Sequence, residues 1–159
     1  MDKLREQKNK KHAYRPRPPF HIIEGGGSEP FQQLHPEAVW VLHEFYGKFN
    51  GFNRSNLSCT FNEVKNVMSG RVFSRALWKL IGFGFLDIKR FGRLERTCSI
   101  FALSDRWRRL CGSEAAARRA EIRALLEDIE RLKRESWPKE KRSEKQDRIR
   151  VLKKRLFEI

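Results

Sequence analysis

The sequence predicts a mainly α-helical protein with one small β-hairpin, followed by further helices at its C-terminal end. Apolar residues recur at helical spacing in three regions, 36–49, 70–81 and 122–132. Two short apolar segments, 85–88 and 98–103, flank a basic turn that contains glycine, as in an antiparallel strand pair. We therefore expect a flexible basic arm (1–30), a folded domain (31–111) and a C-terminal helical hairpin or coiled-coil segment (112–159).

Positive charge dominates the composition. The 159 residues include 35 Lys and Arg against 20 Asp and Glu, a formal net charge of +15. The excess is +3 over residues 1–35, +7 over 36–111 and +5 over 112–159, so the predicted folded domain holds the largest share. Since such a domain repels itself, a polyanionic partner is the first expectation, and a merely basic protein is the alternative.

The residue types present argue against several classes of protein. Cys59, Cys98 and Cys111 are too far apart for a metal knuckle and odd in number for a disulfide framework, so we expect reduced thiols. No histidine pair, nucleophile–base pair or phosphate-binding loop is recognisable, and the glycines at 25–27 are expected to be linker. No segment has the length of a membrane span or the apolar core of a signal peptide. We expect a cytoplasmic protein that is not an enzyme and uses no cofactor, metal or small-molecule substrate.

The arm at 1–30 is rich in Lys and Arg and then in Pro and Gly, a composition that buries little surface. The arginines in its Pro-rich run at 14–19 are typical of an arm that enters a DNA minor groove. A solvated tail is the alternative, and we favour it.

Two helices are predicted ahead of residue 69. The first begins near Pro36, with Glu37 in its first turn. A short strand at 57–59 precedes Thr60, which caps the second helix, 61–68, and Glu63 completes a capping box. The expected buried residues are Ala38, Val39, Leu42, Phe45, Tyr46 and Phe49 in the first helix and Phe61, Val64 and Met68 in the second.

The third helix, 70–81, begins after the N-cap Ser69 and has two dissimilar faces. No acidic residue occurs between Lys65 and Asp87, whereas an ordinary solvated face mixes Glu with Lys. An absence of carboxylates suits contact with phosphates. The inward residues are Phe73, Ala76, Leu77 and Leu80, and the outward residues are Arg71, Ser74, Arg75, Trp78 and Lys79.

A β-hairpin is predicted to follow this helix. Gly84 ends the helix in a left-handed conformation, and 85–88 and 98–103 form the strands. Trp107 is expected to pack back onto the core from a helical turn that follows the second strand. The connection at 89–97 holds four basic residues, Lys89, Arg90, Arg93 and Arg96.

The region 69–107 resembles a known type of domain. The pattern S-x-x-x-F-x-R-A-L-x-x-L, followed by G-F-L-D-I, a basic turn and S-x-F-x-L-S-D-R-W, is similar to the winged helix-turn-helix domains of bacterial and phage transcription regulators and replication initiators. The resemblance covers roughly residues 36–110. It implies that helix 70–81 enters the major groove and that the connection at 89–97, the wing, contacts an adjacent groove or the DNA backbone. Winged helices also serve as protein-docking modules.

The outward residues of the third helix suit contacts with duplex DNA. Arg71 and Arg75 lie four residues apart on one face, and arginine can bind guanine O6 and N7 in a bidentate manner. Ser74 and Lys79 suit phosphates. Trp78 is predicted either to lie against a sugar or a thymine methyl, or to pack under a neighbouring segment.

Two helices are predicted in the C-terminal third, separated by a break at Trp137 and Pro138. The second has a seam of about one and a half heptads, fewer than the roughly three to four that indicate a coiled coil. The helices either fold back on each other or on the domain, or pair with a second copy in a homodimer, which we favour because so narrow a stripe needs a partner. The stripes comprise Ile122, Leu125, Leu126, Ile129 and Leu132, and then Ile149, Leu152, Leu156 and Ile159.

The leading functional hypothesis is double-stranded DNA binding through helix 70–81 and the wing, in transcription regulation or replication initiation, by a nucleoid-associated protein. The first alternative is a protein-interaction scaffold that uses the winged helix and the C-terminal helices. The second alternative is RNA binding by the same basic surface.

Overall fold

A computed structural model describes residues 23–92 and 97–158. The helices are α1 (Glu29–Gln32), α2 (Pro36–Lys48), α3 (Phe61–Val64), α4 (Gly70–Gly82), α5 (Ala116–Arg134) and α6 (Arg142–Glu158), and the strands are β1 (Leu86–Arg90) and β2 (Ile100–Leu103). Short 3₁₀ turns lie at Arg106–Leu110, Ser113–Ala115 and Lys139–Lys141. The prediction of a mainly helical fold with one small β-hairpin and C-terminal helices is confirmed.

The packed structure begins earlier than the boundary predicted at residue 31. Ser28 caps α1 by accepting a hydrogen bond from the Phe31 N–H, and Pro30 is buried. Gly25, with a φ of +81°, lies so close to the Trp107 ring that a Cβ would come within 2.8 Å of Cε2. The first of the three glycines is therefore a packing position and not linker. Residues 1–22, with the Pro-rich run of the predicted arm, lie outside the described residues.

Helices α2, α3 and α4 begin where the sequence predicts. α2 starts at Pro36 with Glu37 in its first turn. Thr60 and Glu63 form the capping box of α3. Ser69 caps α4 by accepting a hydrogen bond from a backbone N–H three residues later. These starts depend on contacts within one turn, which is why the sequence pattern locates them.

Helix α3 is shorter than the predicted 61–68. The N–H groups of Val67 and Met68 both bond to the Val64 carbonyl, and the chain tightens into a turn there. Phe61, predicted to point inward, is 42% exposed at the first position of this one-turn helix. Val64 and Met68 are buried as expected.

The two strands pair antiparallel, with Leu86 opposite Leu103 and a register shift between Ile88 and Arg90. β1 runs two residues past its predicted end, so Lys89 and Arg90 belong to the strand and not to the connection. The predicted strand at 57–59 is reduced to a single bridge to β2. Two wing residues that the sequence assigns to DNA binding, Arg93 and Arg96, lie outside the described residues.

The C-terminal helices pack on each other and on the domain, which is the fold-back alternative of the sequence analysis. We call α5 and α6 together the C-terminal helical hairpin. Four of its buried residues belong to the same apolar cluster as those of α2 and α4. Arg119 is buried where the chain enters α5, and its Nη1 donates to the Leu110 and Gly112 carbonyls at 2.6 and 2.9 Å. The apolar stripe thus finds a partner within the chain, and a homodimer stays a prediction. The hairpin residues in the cluster are Ile122, Leu125, Leu126 and Leu156.

Candidate nucleic-acid interface

Helix α4 buries its predicted inward face and has an outward face that divides into two halves. Arg71, near the N-terminus of α4, is exposed. Gly82, at the opposite end, is buried: a Cβ there would lie 3.2 Å from side-chain carbons of Ile122 and Leu156. The C-terminal helical hairpin therefore covers the C-terminal half of the outward face. The inward residues are Phe73, Ala76 and Leu80, which are buried, and Leu77, which is partly buried.

Trp78 lies at the edge of the covered half. Its ring meets the Phe157 ring edge-on, with centroids 6.1 Å apart and an interplanar angle of 71°. The Lys153 ammonium lies over it at 4.1 Å from the ring centroid. Of the two roles predicted for Trp78, packing under a neighbouring segment is the one that the structure has.

Arg75 and Lys79, both predicted DNA contacts, line a cavity of about 250 Å³ between α4 and α5. Burial, and after it the neighbouring Arg75 guanidinium, lowers the pKa of the Lys79 ammonium, while Glu130 and Glu127 on α5 act in the opposite direction. Lys79 therefore faces the C-terminal helical hairpin, and Arg75 stands at the border between the covered and open halves.

The open half of α4 keeps two predicted contacts, Arg71 and Ser74. Ser74 is half-buried, one turn after the exposed Arg71. Among the ion pairs between described residues, none includes Arg71 or Lys89 of β1. Within the described ranges, 23–92 and 97–158, this guanidinium and this ammonium have no carboxylate partner and are available to an incoming anion.

Two of the carboxylates that follow α4 in the chain are bound to other cations. Asp87, the first acidic residue after α4, accepts a hydrogen bond from Arg106 Nε at 2.8 Å. Arg106 also donates to the Ile81 carbonyl and so satisfies the C-terminal end of α4. Asp105 binds Arg54 at 2.8 Å. Asp87 and Asp105 are thus held by Arg106 and Arg54 rather than by a basic residue of α4.

The end of β1 lies beside the outward face of α4. Phe91, just after β1, lines a groove together with Trp78. Arg71 lies seven residues before Trp78, two turns earlier on the same side of the helix. Lys89 and Arg90 are exposed next to Phe91. Two exposed basic residues at the end of β1 therefore adjoin Phe91, which lies beside the outward face of α4.

One wall of that groove comes from α6, whose sequence pattern predicts only an apolar seam. Four of the six α6 residues that line the groove step by four, three and four along the helix, so a polar, basic and aromatic stripe runs beside the apolar seam. This spacing is readable in the sequence and was the signal available for finding it. The stripe comprises Gln146, Arg150, Lys153 and Phe157.

Comparisons of the chain with protein-family models, curated proteins and solved structures found no match. Within residues 23–92 and 97–158, no helix is long and apolar enough to cross a membrane. In the same ranges, no group of three or more His, Cys, Asp or Glu side chains is placed to hold a metal ion. Cys59, Cys98 and Cys111 are free.

Proposed function

We propose that this protein is a winged-helix protein that binds double-stranded DNA through the open half of α4 and the β-hairpin, in transcription regulation or replication initiation. One observation carries the proposal. The end of β1 lies beside the outward face of α4, and both elements carry exposed basic residues. Arg71, Lys89 and Arg90 are the exposed members of this surface.

The position of the open half along α4 suits contact with a duplex. A recognition helix places its N-terminal residues against base edges in the major groove, and its N-terminal end carries partial positive charge. Arg71 lies in the first turn of α4, and Ser74 follows one turn later. The C-terminal helical hairpin covers the other end of α4, which such an approach leaves outside the groove.

This geometry changes the ranking of the predicted contacts. Arg71 becomes the first choice for a base edge or a phosphate, with Ser74 beside it. Arg75 is second because it borders the cavity under α5. Trp78 and Lys79 are assigned to packing between α4 and the C-terminal helical hairpin.

We expect Arg71→Ala to weaken binding to a short labelled duplex by about 1–3 kcal/mol, because a guanidinium at the helix N-terminus is lost.

Lys89→Ala is expected to reduce the slope of log affinity against log salt by about 1, since one phosphate contact disappears. Fluorescence anisotropy over a series of salt concentrations measures both effects.

Arg131→Ala is the matched control. Arg131 is exposed on α5, binds Asp128 at 2.7 Å and lines a different surface depression from Trp78 and Phe91. Its removal changes the net charge by the same amount. Equal losses in Arg71→Ala and Arg131→Ala, or salt-independent binding, would contradict the proposal, and a preference for duplex RNA would favour the RNA alternative.

A protein-interaction module is the second candidate. The C-terminal helical hairpin covers half of the outward face of α4. A protein-docking module does not need that face to enter a DNA groove, so the covering favours this candidate. Phe61 and Val67 are exposed near the start of α4 and offer an apolar contact. Absence of duplex binding even at low salt would favour this candidate.

A further inference from the structure

We infer that the groove between the β-hairpin and α6 binds an unpaired nucleotide of single-stranded nucleic acid. The groove has a volume of about 410 Å³, within the range of roughly 300–1,000 Å³ typical of small-ligand sites. We call it the aromatic groove, after Trp78, Phe91 and Phe157, which line it. This site would bind single strands rather than duplexes, and its lining does not include Arg71, Lys89 or Arg90.

Two aromatic rings in the groove have surface available for stacking. Phe91 is 52% exposed and Phe157 is 39% exposed, whereas most large apolar side chains in the described ranges are buried. Trp78 is less available, because Lys153 lies over its ring. Nucleobases stack on such rings with little regard to sequence, since every base has a π-face.

The charged residues of the groove complement a nucleic-acid backbone. Its charged lining residues are Arg150, Lys153 and Lys154, and no Asp or Glu contributes to the lining. The carboxylates nearest along α6 pair with Arg150 at 3.7 Å and with Lys154 at 4.0 Å. Both pairs are strongly exposed, and exposed pairs compete weakly with an incoming phosphate.

The combination of rings and cations favours a single strand over a duplex. Bases in a duplex are stacked on each other and cannot reach an aromatic side chain in a groove of the protein. A single strand exposes its bases and can place one in the groove while its phosphates lie along α6. The chemistry is shared by DNA and RNA, so both sources are tested.

The experiment compares Phe91→Leu with Phe91→Tyr in the full chain. The probe is a labelled oligothymidylate of about twelve nucleotides, within the usual site sizes of single-strand binders. We expect Phe91→Leu to weaken binding roughly 5- to 100-fold, because the apolar bulk stays while the stacking surface is lost. Phe91→Tyr keeps the ring and should bind within about twofold of the parent. Phe52→Leu, which removes a 90% exposed ring elsewhere, should leave binding unchanged.

Two further probes separate base recognition from charge. An abasic oligonucleotide of equal length should bind more weakly and should not distinguish Phe91→Leu from the parent. Oligouridylate in place of oligothymidylate tells whether RNA or DNA is preferred. Equal binding of the abasic strand, or unchanged oligothymidylate binding in Phe91→Leu, would overturn the inference. Arg71→Ala is expected to affect the duplex and spare the oligothymidylate, so the two proposals fail separately.

Discussion

Replacing Leu156 by alanine lowers the free energy of unfolding by about 2–5 kcal/mol. Leu156 is 0% exposed on α6, and its Cδ1 lies in the contact with Gly82 of α4. Alanine removes three side-chain carbons from a site that two helices enclose, so both the lost burial and the remaining cavity contribute. Urea unfolding followed by tryptophan fluorescence measures the change.

Val151→Ala is the control on the same helix. Val151 is 66% exposed, and alanine is the better helix former, so we expect a change within about 0.5 kcal/mol. If Leu156→Ala cost no more than Val151→Ala, the C-terminal helical hairpin would not unfold together with the domain. The covered half of α4 would then be open to a partner.

Replacing Gly84 by alanine costs a similar amount for a different reason. Gly84 has a φ of +76°, and a Cβ there would lie 2.6 Å from the Trp107 nitrogen and 2.8 Å from the Arg106 carbonyl carbon. The Trp107 N–H donates to the Gly84 carbonyl at 3.1 Å, and this bond holds the two backbone segments close together. Left-handed strain of about 1–2 kcal/mol adds to overpacking of about 1–3 kcal/mol.

Gly51→Ala separates these two contributions. Gly51 has a φ of +90° but no atom within 4 Å of its Cβ position, so it carries the backbone strain alone. We expect a loss of about 1–2 kcal/mol at Gly51 and a larger loss at Gly84, measured by thermal and urea unfolding. Equal losses in Gly51→Ala and Gly84→Ala would show that the 3₁₀ turn Arg106–Leu110 can shift to make room for the added Cβ.

Short-range features of the fold could be predicted from the sequence. The capping box of Thr60 and Glu63, the N-cap Ser69 and the left-handed Gly84 each depend on contacts within a few residues. The inward face of α4 follows from its helical period. Val41 of α2 is fully buried but was not predicted, because the buried face of that helix is wider than the stripe assigned to it.

The candidate site was less predictable, because it depends on long-range packing. Nothing local to Gly82 indicates that Ile122 and Leu156 approach it. The pattern of α4 therefore assigned Trp78 and Lys79 to one uniform outward face. Which half is open depends on where the C-terminal helical hairpin lies, and a narrow apolar stripe does not specify whether its partner is in the same chain or another.

The most direct test is to map backbone amide shifts by NMR on addition of a short DNA duplex. We expect the largest changes at Arg71, Ser74, Lys89 and Arg90, with little change at Lys79 and along α5. This result would place the duplex on the open half of α4 and on the β-hairpin. The largest changes at Lys79 and the α5 residues under α4, or no changes at low salt, would contradict the account.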